Sequence, residues 1–225
     1  MKIDIVSIFP EIAAGPLSCS IMGRAAESGK VQFGFHDLRD FTDDRHRQVD
    51  DLPYGGGPGM VMKPEPFFRA VEALRGEQTR VLMMTPSGKA FRQADAEKLA
   101  LEEHLIVLCG HYEGVDHRVI EALVDEELSI GDYVLTNGTI AAAVVADAVV
   151  RLVPGVLGDD ASAAEESFGG ENRWLEAPHY TRPPEFQGMA IPEVLTSGHH
   201  GEIAKWRAQQ SRLRTAQNRP DLLDE

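Results

Sequence analysis

The chain has 225 residues, 43% of them hydrophobic and 26% charged, with a formal net charge of −14. That length suits one main domain plus a small appendage, and the composition excludes a wholly disordered, collagen-like or fibrous chain. An overall negative potential opposes approach to phosphates, so any nucleic-acid contact must rest on a local basic segment. Lys2 to Phe9 is a β-branched run that stops at Pro10 and predicts a first strand. Asp4 interrupts that run, unlike a secretory h-region, so the expected address is the cytoplasm. A helix is expected as far as Ser28, then a second strand over 31–35. Residues 41–59 are charged and then glycine-rich, with Pro53-Tyr54-Gly55-Gly56-Gly57-Pro58-Gly59 at their end, which predicts a loop. Pro64 to Arg75 spaces Phe67, Val71 and Leu74 at i, i+4 and i+7 behind a proline in the first turn, which predicts a helix.

Val81 to Met84 reads as a buried strand ending in Thr85-Pro86-Ser87-Gly88, residues 93–103 as an amphipathic helix, and Leu105 to Cys109 as a further buried strand ending at Gly110. Cys19 and Cys109 are too few for a disulfide framework and sit in no metal-ligand spacing, so both are expected to be reduced, Cys109 as core packing. A helix is expected over Thr139 to Leu152. Its apolar stretch, broken by Asp147, falls short of the roughly 20 residues that span a bilayer. Residues 159–170, rich in Ala, Ser, Glu and Gly, read as an exposed linker. A Pro-rich stretch and a helix over 201–217 follow; so short a segment can hardly build a strong core alone and is expected to pack on another surface or on a partner subunit. Buried strands alternating with helices predict an α/β fold with a mostly parallel sheet covered on both faces.

In open α/β sheets ligands bind beyond the carboxyl ends of the strands, where glycine lets the backbone approach closely. Three segments qualify: Thr85-Pro86-Ser87-Gly88, Gly110-His111-Tyr112-Glu113-Gly114, and Ile130 to Leu135 running into Asn137-Gly138. None is a phosphate cradle of the G-x-G-x-x-G or G-x-x-x-x-G-K-[ST] kind, so a ligand without a phosphate chain fits better. Between Gly201 and Arg219 the bases Lys205, Arg207, Arg212, Arg214 and Arg219 face the single acid Glu202. A helix with one basic face is compatible with RNA contact, although charge alone is read as simply as a solvated face.

The run Asp50-Asp51-Leu52-Pro53-Tyr54-Gly55-Gly56-Gly57-Pro58-Gly59-Met60, then Cys109-Gly110-His111-Tyr112-Glu113-Gly114-Val115-Asp116, Ser129-Ile130-Gly131-Asp132-Tyr133-Val134-Leu135, Pro154-Gly155-Val156-Leu157-Gly158, Pro178-His179-Tyr180-Thr181-Arg182-Pro183 and Arg219-Pro220-Asp221-Leu222-Leu223 resembles the bacterial tRNA (guanine-N1)-methyltransferase family, in order and over nearly the whole chain. The resemblance implies a SPOUT methyltransferase fold with a C-terminal-side trefoil knot over 1–158, a flexible linker over 159–173, and a small helical tRNA-binding domain over 174–225. It implies a homodimer that shares its active site between subunits, acts on tRNA away from any membrane, and moves a methyl group from S-adenosyl-L-methionine to N1 of guanosine 37. Carried over residue by residue, the donor pocket is Thr85, Pro86 and Gly88, then Gly110, Tyr112 and Glu113. It continues through Ile130, Gly131, Asp132, Tyr133, Val134 and Leu135 to Gly138. Arg151 and Glu166 take the catalytic positions, and Arg182, Lys205, Arg207, Arg212 and Arg214 the RNA contacts. The family admits Mg2+, but no His/Asp/Glu set here has metal-site spacing. The alternative is an RNA-binding protein of the same fold with weak or lost activity, or one that methylates another RNA position.

The chemistry asks for those residue types. Guanine N1 carries a proton at neutral pH, so a carboxylate base is needed to free its lone pair and a cation to hold the charge that develops on O6. The chain departs from the family pattern at three places: Glu166 stands where Asp is usual, His111 where Arg is usual, and Thr136-Asn137-Gly138-Thr139 where Ser-Gly-Gly-Glu is usual. Glu adds a methylene to the reach of the base, His replaces a bidentate donor with a titratable one, and the altered third segment reshapes the adenosine pocket.

Overall fold

The computed structural model of the protein describes residues 1–158 and 166–223. The chain divides into two compact units, Met1–Gly158 and Asp159–Glu225. The first runs β1 (Lys2–Ser7), α1 (Glu11–Leu17), α2 (Ser20–Glu27), β2 (Gln32–Asp37), β3 (Asp50–Asp51), β4 (Val61–Met62), α3 (Pro64–Leu74), β5 (Thr79–Ala90), α4 (Gln93–Leu99), β6 (His104–Cys109), α5 (His117–Leu123), β7 (Glu126–Ser129) and α6 (Thr139–Val150). Five strands form one sheet in the order β2-β1-β6-β5-β7, every pairing parallel, while β3 and β4 form a separate antiparallel pair.

Alternation along the strands sorts the core onto two faces. Leu82 and Met84 of β5 join Ile3, Ile5, Leu105 and Val107 under α6, whereas Val81 and Met83 join Val6, Ile106 and Leu108 against Phe67 and Val71 of α3. Helix α6 is apolar nearly all round and buried along most of its length, as a central helix must be. One acid interrupts this apolar interior. Asp4, 1% exposed, receives Lys2 Nζ at 2.7 Å and contacts His36 Nε2 on β2 at 2.8 Å and His104 Nε2 on β6 at 2.7 Å.

Several elements differ from the sequence-based expectation. The first strand stops at Ser7, because Phe9 N donates back to Ser7 Oγ and turns the chain. The expected first helix is two helices, α1 and α2, broken at Ser18-Cys19. Helix α4 ends at Leu99, where bonds from Leu101 N to Lys98 O and from Glu102 N to Leu99 O tighten the last turn. The loop over 41–59 contains β3. Strand β5 continues through Thr85-Pro86-Ser87-Gly88 to Ala90, with its pairing to β7 shifting between Met84 and Lys89. Helix α5 and strand β7 are further elements beyond those expected.

In the second unit, β8 (Glu185–Phe186) and β9 (Met189–Ala190) form a small hairpin, and α7 (His200–Asn218) is its main helix. Ser211 Oγ donates to Leu175 O at 2.6 Å, Leu175 N to Thr215 Oγ1 at 3.0 Å, and Arg214 Nη1 to Glu176 O at 3.1 Å, so α7 is stitched to the extended segment before it. Of the linker expected over 159–173, residues 159–165 lie outside the described residues. The rest of it is tied to the segment that follows, Phe168 N donating to Trp174 O and Glu176 N to Ser167 Oγ. No helix among the described residues is long and apolar enough to cross a membrane.

Candidate functional site

A cavity of about 440 Å³ opens at the carboxyl ends of β5, β6 and β7. Three segments wall it, and the backbone ties them together: Gly138 N donates to Gly110 O at 2.9 Å, and His111 bridges Asn137. The segment leading into β4 is attached too, through Glu113 N to Met60 O and Met62 N to Gly114 O.

From the first segment Thr85 and Pro86 line the cavity, whereas Gly88 does not. A Cβ on Gly88 would meet Leu128 N at 2.5 Å and the Glu127 carbonyl carbon at 2.6 Å, so this glycine lets β5 run backbone against backbone with β7. From the second segment Gly110, Tyr112 and Glu113 line the wall, together with His111. Tyr112 adopts a left-handed φ of 57°, and its N–H donates to His111 Nδ1 at 2.8 Å, which leaves the imidazole proton on Nε2 when the ring is neutral. The third segment contributes Ile130, Gly131, Tyr133, Val134, Leu135 and Gly138, while Asp132 is outside the lining. Gly131 has φ +153°, and an added Cβ would lie 2.4 Å from Tyr133 Cε1.

The charge of the lining is one-sided. Glu113 and Glu127 supply two carboxylates, and no Lys or Arg lies among the described lining residues. Glu127 escapes the sequence reading because Asp125-Glu126-Glu127 looks like a solvated acidic run, and the burial along β7, two half-buried residues followed by two buried ones, has no alternation to mark it. Cys109, behind the second segment, is not a nucleophile: burial pushes its thiol up to about 12, against a hydrogen bond with Thr139 that pulls the other way. On the outer side of His111 the Phe9 ring lies 5.6 Å away, and the Arg39 guanidinium sits 5.2 Å over that ring.

Arg151 does not line the cavity. Arg151 caps the far end of α6, about 18 Å along the axis from Thr139 at 1.5 Å per residue. Glu166 belongs to the second unit, where its carbonyl accepts from Gly169 N at 3.0 Å. The basic residues of α7 are not one face. Lys205 and Arg212 form one stripe and Arg207 and Arg214 another, about 160° away at 100° per residue. Arg214 is half-buried against Glu176 O, while Lys205, which pairs with Glu202 at 2.8 Å, and Arg207, Arg212 and Arg182 are exposed. Among the described residues no group of three or more His, Cys, Asp or Glu is placed to hold a metal ion.

Comparison with known proteins adds a second line of observation. A family model described as tRNA (Guanine-1)-methyltransferase TrmD matches residues 1–225. The tRNA (guanine-N(1)-)-methyltransferase of Brevibacillus brevis is 56% identical over 225 residues, covering 100% of this chain and 92% of its own length. That of Pelotomaculum thermopropionicum is 57% identical over 227 residues, with 99% of this chain and 90% of its own covered. The protein of the same name from Protochlamydia amoebophila is 52% identical over 223 residues, with 99% and 100% covered.

Proposed function

Since the chain belongs to the tRNA (guanine-1)-methyltransferase TrmD family, we propose that it transfers a methyl group from S-adenosyl-L-methionine to N1 of guanosine 37 in tRNA. The observation that carries the donor is the lining of the cavity. Two carboxylates without a Lys or Arg favour a cationic ligand and disfavour a phosphate, and a sulfonium with an amino group is such a cation. The volume lies within the usual 300–1,000 Å³ or so of small-molecule sites. Gly131 and Gly138, where a side chain would collide with Tyr133 or with Cys109 Cα, keep backbone amides and carbonyls available to an adenine ring.

S-adenosyl-L-methionine supplies a methyl carbon already activated by its sulfonium. The residues of the chain then have two tasks: to hold donor and acceptor in line, and to raise the nucleophilicity of N1. Glu113 and Glu127 balance the positive charge of the donor. Glu166 takes the N1 proton as carboxylate base, and Arg151 faces O6, where negative charge develops. Arg151 does not line the cavity of its own chain, and α6 separates it from Thr139 by about 18 Å. We therefore read the active site as shared between two copies of the chain. Ile140 and Val144, one turn apart on α6 and 44% and 46% exposed, offer an apolar strip for that contact. The trefoil knot of the SPOUT class is part of the same reading, and the close approach of Gly138 to the backbone of Cys109 and Gly110 supports it. Arg182, Lys205, Arg207 and Arg212 are exposed cations for tRNA, in the cytoplasm where tRNA is found.

The test is transfer of a labelled methyl group to an unmodified tRNA transcript. The expected product carries the label at N1 of guanosine 37, which blocks Watson–Crick pairing and stops reverse transcription there. Label at another position, or none, overturns the assignment. In the same assay Glu166→Gln lowers single-turnover transfer by about 10²- to 10⁴-fold and leaves donor affinity unchanged; an unimpaired variant removes Glu166 from the mechanism.

A further inference from the structure

Behind the cavity lies a pair of hydroxyls that methyl transfer does not itself use. Ser7 Oγ and Thr139 Oγ1 are 2.6 Å apart, and the two residues are 2% and 0% exposed. Ser7 ends β1, and Thr139 opens α6 immediately after Gly138 of the third cavity segment. Burying two hydroxyls costs desolvation that an apolar pair of the same shape avoids, so the contact is there for geometry rather than for bulk.

The bonds around the pair show what it holds. Thr139 N donates to Asn137 Oδ1 at 2.9 Å, and the Thr139 hydroxyl also meets the Cys109 thiol at the end of β6. Ser7 Oγ accepts from Phe9 N at 3.0 Å, and the Phe9 ring packs 5.6 Å from His111 in the second segment. Gly138 N closes the circuit on Gly110 O. The second and third cavity segments are thus hung from the ends of β1 and β6 through one hydroxyl pair.

We propose that Thr139, through its hydrogen bond to Ser7, is a positioning residue that fixes the third cavity segment and sets the affinity for the methyl donor. The proposal rests on the donor reading of the cavity. Thr139 is a hydroxyl that donates and accepts in a closed pocket without burying a charge.

Thr139→Val keeps the shape and deletes the bond; Ser7→Ala deletes its partner. Each should raise the dissociation constant for S-adenosyl-L-methionine, read by calorimetry, by about tenfold, a loss of about 1.4 kcal/mol. Transfer at saturating donor should stay within about twofold, because the interaction acts on binding rather than on the transition state. In the donor-free protein the amides of Gly138 and Thr139 should exchange about tenfold faster. The double variant should lose less than the sum of the two single losses, since the bond between the hydroxyls is lost only once. Thr139→Ser, which keeps the hydroxyl, should restore both readouts. Unchanged donor affinity in a folded Thr139→Val or Ser7→Ala protein overturns the proposal, as does full additivity of the two; if Thr139→Val does not fold, Ser7→Ala and Thr139→Ser decide alone. A parent chain without donor affinity overturns the cavity reading as well, whereas a parent and variants that bind equally overturn this proposal only.

Discussion

Gly88, Gly110 and Gly131 look alike as glycines that follow or interrupt strands, yet their surroundings make them three different residues. At Gly131 a side chain meets both a φ of +153° and the Tyr133 ring at 2.4 Å. Gly131→Ala is expected to weaken donor binding by tenfold or more, about 1.4 kcal/mol, in a protein that still folds. At Gly110 the nearest obstacle is the Val115 Cγ2 methyl at 3.2 Å, which can give by a few tenths of an ångström. Gly110→Ala should therefore cost only about twofold in affinity. At Gly88 the obstacle is the backbone of β7, which cannot give, so Gly88→Ala should lower the melting temperature by several degrees, from roughly 1–3 kcal/mol of overpacking. Calorimetry of the donor and thermal melts of the three variants separate the two kinds of loss. Equal losses of affinity at all three positions would contradict the placement of Gly88 outside the lining.

Between elements, Asp4 acts as a clamp across β2, β1 and β6. Burial works against its charge, but hydrogen bonds from His36, Lys2 and His104 outweigh that cost and hold the carboxyl well below the usual carboxylate range. A carboxyl depressed in the folded state contributes its full stability above the unfolded value near 4 and loses it as pH falls toward the folded one. The urea midpoint of the parent should therefore decline below about pH 5, and Asp4→Asn should flatten that decline while costing about 3 kcal/mol at neutral pH. Gly34→Ala should mimic it, since a Cβ there would strike Asp4 Oδ1. The elements also show what local sequence can reveal. The strands Val81–Met84 and Leu105–Cys109 and the helix behind Pro64 are legible because apolar runs and an N-terminal proline act locally. Strand β7 is not, because two of its four residues are Glu and its place is set by pairing with β5. The continuation of β5 past Pro86 is hidden in the same way, since Pro and Gly punctuate locally while the shifted register is a tertiary matter. Within the site, the glycine segments are legible for their backbone, whereas Glu127 and the Ser7–Thr139 pair, 132 positions apart, become visible only when the sheet is assembled.

At the scale of the whole molecule a net charge of −14 must coexist with a polyanionic substrate, so tRNA affinity should depend on few cations and respond sharply to their loss. Reversing Arg207 and Arg212 to Glu should flatten the slope of log affinity against log salt by about two and leave donor binding intact. The sharing of the active site makes a stronger demand. Gly131→Val disables the donor cavity, and Glu166→Gln disables the base. If the cavity of one copy works with the carboxylate of the other, a mixed dimer carries both defects in one site and none in its second site. Equal amounts of the two variants, unfolded and refolded together, should then recover about a quarter of the parent activity, half the dimers being mixed and half of their sites intact. Each variant refolded alone should stay inactive. If cavity and base belong to the same copy, every site in the mixture carries one defect and no activity returns. Recovery near zero, with mixed dimers verified by differently tagged chains, would therefore place the whole reaction within a single chain.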